Sequence, residues 1–483
     1  MLFNSFEFLV YLPLVFLSYW FVFGRSVRLQ NLFVVFASYL FYGWWDVRFL
    51  SLIACTSFFS WLSGIGIQGI RDKYQGDEKV VRLGCRWVVA GNLLLNLSIL
   101  FFFKYYDFFI DSFIRLFSAF GITLHASTLY VILPVGISFY TFQALSYTID
   151  VYRGKLQPTK DIVAFFAYVS FFPQLVAGPI ERATHLLVQF YKPRVFVYDT
   201  AVDGVRQMLW GFFKKVVIAD NCAVAVNDIF DNYTDYSAST LWMGAVLFAF
   251  QIYGDFSGYS DIAIGTAKLF GIHLYRNFNY PYFSSNIIDF WRRWHISLNT
   301  WFVDYVYIPL GGSWRGVPKY IRNVLIVFLL SGLWHGADWM FVTWGVYHGL
   351  LVVCLFLAKK YDRYWPQFSS MLSVLVTFVF VVVGWIFFRS ETLSMAVDYI
   401  SRLCSPSLLW VPKIMGIDNV YALISLCFII VMLIVEWWNR DKAFGLDISA
   451  VGNKCVRYGL YGMILFSIYF FGNNASSFIY FQF

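Results

Sequence analysis

The sequence is poor in charge. Only 13% of its 483 residues are Asp, Glu, Lys or Arg, whereas 60% are hydrophobic and 22% are aromatic. Soluble domains average about 45–50% apolar residues, so this composition excludes an ordinary soluble protein. Apolar runs of about 20 residues recur along the chain, long enough to cross a hydrocarbon core of ~30 Å. The composition therefore predicts an integral membrane protein.

Several chemical signatures are also missing. The seven cysteines include no CxxC pair and no cluster with histidine, so neither a disulfide framework nor a zinc site is predicted. HExxH is absent and the histidines share no ligand spacing, which leaves no metal site to propose. No G-x-S-x-G elbow supports a Ser–His–Asp triad. We expect no bound metal or cofactor.

The net charge of +8 does not indicate a nucleic-acid partner, because Lys and Arg lie in short loops between apolar runs. That distribution follows the positive-inside rule. The basic loops Arg71–Arg86 and Arg440–Arg457 are predicted to be cytoplasmic, which places both termini outside. The N-terminus lacks a basic n-region and a cleavage site, and it is interpreted as an uncleaved first span. The expected location is a bacterial inner membrane, in contact with its lipids.

Hydropathy predicts an all-α protein with roughly eleven to thirteen transmembrane helices. The run Ile162–Pro179 is broken by proline and has basic loops on both sides, so it is predicted to be re-entrant. Lys104–Phe120 is predicted to be interfacial. Val195–Ala219 is predicted to be an amphipathic helix with Arg206, Lys214 and Lys215 on its polar side. Residues 1–472 then form one domain, with a core at about 129–358 and a tail at 473–483.

Two polar features interrupt the apolar runs. Asp255 and Asp261 lie in DFSGYSDIAIG, where they are either helix caps or residues that line a cavity. Three of the six histidines lie in Phe290–Gly349, and ionisable groups at membrane depth are costly and point to function.

His335 follows Ser331 and Trp334 at the end of an apolar run. If the helix continues, Asp338 at i+3 shares its face and is positioned to orient the ring. His295 lies beside Arg292 and Arg293, which are suited to phosphate or carboxylate groups. His348 is interpreted as a packing residue.

These segments resemble a known family. FWRRWHISLNTW followed by SGLWHGA is similar to the membrane-bound O-acyltransferase family, most of all its bacterial branch that contains the membrane subunit of alginate O-acetyltransferase. The resemblance extends from the first span to about Arg389, and its further segments are Ala37–Trp45, Leu133–Gly154, Phe171–Ile180 and Asp255–Gly265.

The resemblance implies a ring of helices around a central funnel or tunnel, in which His335 is catalytic and His295 is the second histidine. Ser331, Trp334 and Asp338 would then line the tunnel or orient His335. Alginate-type relatives often carry Asn at the last of these positions, so a charge there is not a family requirement. The acyl donor would be a cytoplasmic thioester, acetyl-CoA or an acyl carrier, with Arg292 and Arg293 holding its phosphates (a hypothesis).

The tail NNASSFIYFQF carries a second resemblance. Phe478, Tyr480 and Phe483 form F-x-Y-x-x-F, similar to the C-terminal motif of the small membrane protein of teichoic acid D-alanylation systems. There the resemblance implies that the tyrosine carries the acyl group transiently. A phenol of pKa ~10 is a much better leaving group than an aliphatic alcohol, so such an ester stays reactive enough for onward transfer. An aromatic membrane anchor is the alternative interpretation.

The predicted function is O-acylation, mainly acetylation, of an extracytoplasmic polysaccharide through His335 and Tyr480. A separate extracytoplasmic O-acyltransferase is the expected partner, because no soluble sugar-binding domain is present. A polysaccharide or lipid transporter is one alternative, although the paired repeats typical of transporters are absent. Direct acylation of a lipid-linked acceptor is another.

Overall fold

The structure is a computed structural model, and it describes residues 1–124, 128–129, 131–176, 178–361, 369–413, 418–449, 451–472 and 478–479. Within these ranges it contains helices and no strand, which confirms the all-α prediction. The α-helices are α1 (Phe6–Leu17), α2 (Val27–Gly43), α3 (Leu50–Lys73), α4 (Glu78–Leu100), α5 (Tyr106–Ala119), α6 (Ile137–Tyr152), α7 (Ile162–Ser170), α8 (Phe172–Leu175), α9 (Tyr198–Phe212), α10 (Asp220–Asp231), α11 (Ala238–Leu269), α12 (Ile287–Arg293), α13 (Ile296–Phe302), α14 (Val317–His335), α15 (Trp339–Lys360), α16 (Ser370–Arg389), α17 (Leu393–Arg402), α18 (Asp418–Trp438) and α19 (Lys454–Phe471).

Short π-helical stretches extend several of these helices. They are Ser18–Val22, Phe101–Tyr105, Phe213–Ala219 and Val303–Tyr307. Shorter 3₁₀ segments are Val47–Phe49, Leu187–Tyr191, Tyr233–Asp235, Pro281–Phe283 and Pro406–Leu409.

Six helices in the described part of the chain are long and apolar enough to cross a membrane, which makes the chain a multi-pass membrane protein. They are Val47–Lys73, Glu78–Ala119, Val317–His335, Trp339–Lys360, Ser370–Arg389 and Asn419–Trp438, and Phe6–Val22 is a shorter apolar helix. The predicted interfacial segment Lys104–Phe120 belongs, as far as Ala119, to the long helix Glu78–Ala119, and its place at the membrane interface stays a prediction. The count of eleven to thirteen crossings and the ring around a funnel remain predictions.

The chain divides into two compact units, of which the first comprises 1–201 and 266–275. In this unit α6 is buried along almost its whole length. Its Thr148 donates to Asn92 on α4 at 3.1 Å and contacts Ser63 on α3 at 2.8 Å. Such small and polar contacts join helices where apolar packing alone gives little preference for one arrangement. The predicted re-entrant run forms the two short helices α7 and α8.

The second unit comprises 202–265 and 276–483, and it contains both histidines of the predicted site. Its α14 and α15 pack closely because glycine lies where they meet. A Cβ on Gly332 would collide with the carbonyl of Phe341, and one on Gly345 would collide with the carbonyl of Phe328. This contact brings Trp344 of α15 against His335 at the end of α14.

The second unit corrects two predictions about charged residues. Lys214 and Lys215 do not lie on a polar face, because the π-helical stretch Phe213–Ala219 buries both. Asp255 and Asp261 do not cap a helix start, since both lie inside α11. Each carboxylate instead forms an ion pair with one of the lysines, Asp261 with Lys214 at 2.6 Å and Asp255 with Lys215 at 2.8 Å.

Candidate active site

His335 is the last residue of α14, and its side chain is buried. The helix ends here because the next residue, Gly336, is extended. Three aromatic rings surround the imidazole: Trp344 at 5.0 Å, Trp334 at 5.1 Å and Phe388 at 5.6 Å between ring centroids. These rings hold His335 in a largely apolar environment.

His295 lies close to His335, as the family resemblance implied. It is buried at the N-cap of α13, where its φ of 43° places the backbone in the left-handed region. Few residues other than glycine adopt this conformation, and it directs the chain between α12 and α13. The two imidazole centroids are 6.4 Å apart, and the ring of Trp334 is 5.6 Å from that of His295.

A buried asparagine fixes the orientation of His295. The Oδ1 atom of Asn277 lies 3.1 Å from Nδ1 of His295, and it also accepts from the backbone N–H and the hydroxyl of Ser297 at 3.3 and 2.9 Å. Its amide nitrogen donates to Ser260 at 3.2 Å. Because these partners assign the amide oxygen to the His295 side, Nδ1 must carry the proton. Nε2 then keeps its lone pair, and it has no hydrogen-bond partner among the described residues.

Both histidines line one cavity of about 30 Å³. That volume accommodates a water molecule or a small hydroxyl-bearing group. Its lining is mainly aromatic and aliphatic, with Ser331 and Asn299 as further polar residues. The cavity therefore lies beside two imidazoles, and an imidazole can take up a proton and return it to a small reactant.

The structural reason predicted for Asp338 to orient His335 does not hold. The orienting hypothesis required α14 to continue, but the helix ends at His335 and Asp338 is the N-cap of α15. Its Oδ1 accepts from the N–H of Met340 at 2.7 Å, and its side chain is exposed. A separation of three residues between His335 and Asp338 is compatible with one continuous helix and with a helix end followed by a new N-cap, so the spacing alone did not distinguish these two arrangements.

The two arginines differ in availability. Both lie in the last turn of α12, where Arg293 pairs with Asp289 at 3.0 Å and Arg292 is exposed. Among the described residues no group of three His, Cys, Asp or Glu side chains is arranged to hold a metal ion. His348 is fully buried against Trp291 and Trp344, in accordance with its interpretation as a packing residue.

The C-terminal tail is described at two residues, Phe478 and Ile479, and both are buried. The Phe478 ring is 4.2 Å from that of Tyr259 and 6.1 Å from that of Phe256. Phe256 in turn places its edge against His295 at 4.6 Å. Tyr480 and Phe483, the other members of the predicted motif, lie outside the described residues.

Sequence reasoning missed Asn277 and the Lys215–Asp255 ion pair. Asn277 lies in the segment YRNFNYP, where nothing in the local pattern marks one of two asparagines as buried. The lysine–aspartate pair could have been predicted from the sequence. One apolar segment carries Lys214 and Lys215, another carries Asp255 and Asp261, and charges that are buried have to be paired.

Fold and site together define a multi-pass membrane protein in which two buried histidines line one cavity. Residues 158–397 match the model of "MBOAT, membrane-bound O-acyltransferase family". The chain is 41% identical over 402 residues to "Probable alginate O-acetylase AlgI" of Pseudomonas aeruginosa, covering 82% of this chain and 73% of that protein. It is 36% identical over 436 residues to "Peptidoglycan O-acetyltransferase" of Helicobacter pylori, covering 83% and 80%.

A more distant relative is "Teichoic acid D-alanyltransferase" of Bacillus subtilis, which is 29% identical over 276 residues, covering 53% of this chain and 69% of that protein. The chain belongs to the membrane-bound O-acyltransferase family. It is therefore an O-acyltransferase, and the transporter alternative is set aside.

Proposed function

We propose that this enzyme moves an acetyl group from a cytoplasmic thioester to the phenol of its own Tyr480. A separate extracytoplasmic O-acyltransferase then transfers the group to a cell-envelope or secreted polysaccharide. The names of the relatives favour such an acceptor, since two of them are an alginate and a peptidoglycan acetyltransferase. The observation that carries the proposal is that His335 and His295 line the same buried cavity.

The proposed step balances as a simple acyl transfer. One histidine takes the proton from the attacking phenol, whose oxygen bonds to the thioester carbonyl carbon. The C–S bond breaks, and the imidazolium returns the proton to the departing thiolate. We assign this proton transfer to His335. His295, whose Nε2 lone pair is presented by Asn277, is placed to bind or share the same proton.

The donor side is proposed to lie near α12. Arg292 is exposed and free of the Arg293–Asp289 pair, so it is the better candidate for the phosphates of a coenzyme A or phosphopantetheine donor. The described end of the tail supports the acceptor side, because Phe478 contacts Phe256, which in turn contacts His295. Both termini are proposed to be extracytoplasmic, on loop charge.

The deciding experiment measures acetylation of the polymer in cells and of Tyr480 on the purified protein. His335→Ala should abolish both while the protein still inserts and elutes as a folded species. Tyr480→Phe keeps the ring and should abolish polymer acetylation if the tail relays the group. Wild-type activity in His335→Ala would refute the catalytic assignment. Activity retained in Tyr480→Phe would favour direct acylation of a lipid-linked acceptor with the tail as an anchor.

A further inference from the structure

The C-terminal segment is attached to the second unit by a backbone hydrogen bond. The N–H of Ile479 donates to Oδ2 of Asp255 at 2.6 Å, and the side chains of Phe478 and Ile479 are 0% and 2% exposed. A segment that buries an aromatic ring and donates a backbone N–H to a buried carboxylate is bound at a specific place.

The receiving carboxylate belongs to a buried charged cluster. Lys215 Nζ lies 2.8 Å from Oδ1 of Asp255 and 2.8 Å from Oδ1 of Asp220, and all three residues are at most 2% exposed. The three side chains thus supply two carboxylates for one ammonium. A buried carboxylate needs further donors, and the Ile479 N–H is one that only the tail provides.

A second hydrogen bond attaches the end of α19, the helix that precedes the tail, to Asn221, the residue after Asp220. Asn221, which follows Asp220 at the start of α10, donates its side-chain N–H to the carbonyl of Phe471 at 2.8 Å. Phe471 is the last residue of α19. The chain is therefore fixed on both sides of residues 473–477, and the start of α10 contributes to both attachments.

Only the side chain of Phe256 separates the Asp255 region from His295. Phe256 follows Asp255 on α11, and its ring contacts both Phe478 and His295. Binding the tail at Asp255 consequently determines how far from His295 the described end of the tail lies. The residue after Ile479 in the sequence is Tyr480.

We infer that Asp255, supported by Lys215 and Asp220, is a positioning residue that anchors the C-terminal segment beside the histidine pair. This inference rests on the proposed relay for its catalytic consequence, since it explains how a short tail is held for acyl loading. Asp255 does not touch the reacting atoms. It acts by accepting a hydrogen bond from the backbone N–H of Ile479. This bond can therefore be tested separately from the side chain of Ile479.

The test removes the donor and the acceptor of this bond separately. Ile479→Pro removes the N–H and leaves the charged cluster intact, whereas Ile479→Ala keeps the N–H and is the matched control. Asp255→Ala removes the acceptor, and Asp261→Asn alters the other ion pair of α11 as a control for loss of buried charge. Hydrogen exchange of the C-terminal peptide, followed by mass spectrometry, reports binding of the tail without requiring catalysis.

Exchange of the tail should accelerate at least about 10-fold in Asp255→Ala, and acetyl loading of Tyr480 should fall about 10-fold or more in both Asp255→Ala and Ile479→Pro. Because both changes remove one bond, the double variant should lose no more than the more affected single variant. Ile479→Ala and Asp261→Asn should keep slow tail exchange, and Ile479→Ala should keep its loading.

Slow tail exchange in Asp255→Ala, or wild-type loading in Ile479→Pro, would overturn the inference. Equal losses in Ile479→Ala and Ile479→Pro would also overturn it, because the N–H would then be irrelevant. Failure of the relay is distinguishable: Tyr480 would then remain unloaded in the wild type too, while the exchange measurement still decides whether Asp255 holds the tail.

Discussion

Replacement of Asn277 tests whether the rate of acyl transfer depends on the tautomer of His295. Asn277→Leu keeps the approximate volume of the side chain but removes the acceptor for His295 Nδ1–H and for both donors of Ser297. The Nδ1–H···O bond is worth about 1 kcal/mol, which corresponds to a roughly fivefold preference for the Nδ1-protonated tautomer and for one ring orientation. Losing both the preference and the orientation should lower the rate of acyl transfer by about 5- to 50-fold.

The assay is the initial rate of acetyl transfer from the thioester by purified, folded protein, with the donor KM measured in parallel. We expect kcat to fall with little change in KM, because Asn277 holds a histidine and not the donor. Asn277→Leu also leaves up to three buried donors without an acceptor, at about 1–3 kcal/mol for each group that no water reaches, so its melting temperature should fall.

Ser260→Ala is the matched control. It removes only the partner of the Asn277 amide nitrogen, which is 3.2 Å from the serine hydroxyl, and leaves the Oδ1 acceptor in place. Its rate should stay within about twofold of wild type, since the bond that it removes does not involve His295. Its stability should fall by about 1–3 kcal/mol, because the buried amide N–H of Asn277 loses its acceptor. A wild-type rate in folded Asn277→Leu would refute the role of the His295 tautomer.

Three further changes follow from the same geometry. Asp338→Ala removes the N-cap of α15 and should cost about 1 kcal/mol of stability, visible as a lower melting temperature, with unchanged turnover per folded molecule. Gly332→Ala forces a Cβ against the carbonyl of Phe341 and should cost about 1–3 kcal/mol and reduce activity, whereas Gly91→Ala, with open space around its Cβ, should not destabilise α4. Arg292→Ala should raise the donor KM about 10-fold, while Arg293→Ala, which breaks only the pair with Asp289, should change it little.

Composition and hydropathy were sufficient to predict an all-helical membrane protein, because the apolar excess and the recurrent long runs do not depend on tertiary detail. They were less informative at helix boundaries. The π-helical stretch Phe101–Tyr105 lets one helix continue from Glu78 to Ala119, whereas the sequence had set Lys104–Phe120 apart as an interfacial segment. Lys214 and Lys215 were placed on a polar face because the local pattern does not show their partners on α11, Asp261 and Asp255.

The histidine pair was predictable because ionisable residues are rare in apolar segments, which singled out Phe290–Gly349, and because the family resemblance assigned roles to His335 and His295. Its supporting residues were not. Asn277 acts through a contact with a residue 18 positions away. Asp338 caps α15, because α14 ends at His335; Gly336 was the sequence signal for that helix end.

Both histidines lie at helix ends, and this location explains how a polar site is built among apolar helices. His335 ends α14 and His295 precedes α13, so each belongs to a segment whose terminal backbone groups have no partner within the helix. The N–H groups of Ile296 and Ser297 are accepted by Asn277, through its carbonyl and its side chain respectively. One asparagine therefore satisfies the start of α13 and orients the histidine that precedes it. Local helix capping and orientation of the candidate catalytic pair are the same set of bonds, which is why Asn277→Leu should affect stability and turnover together.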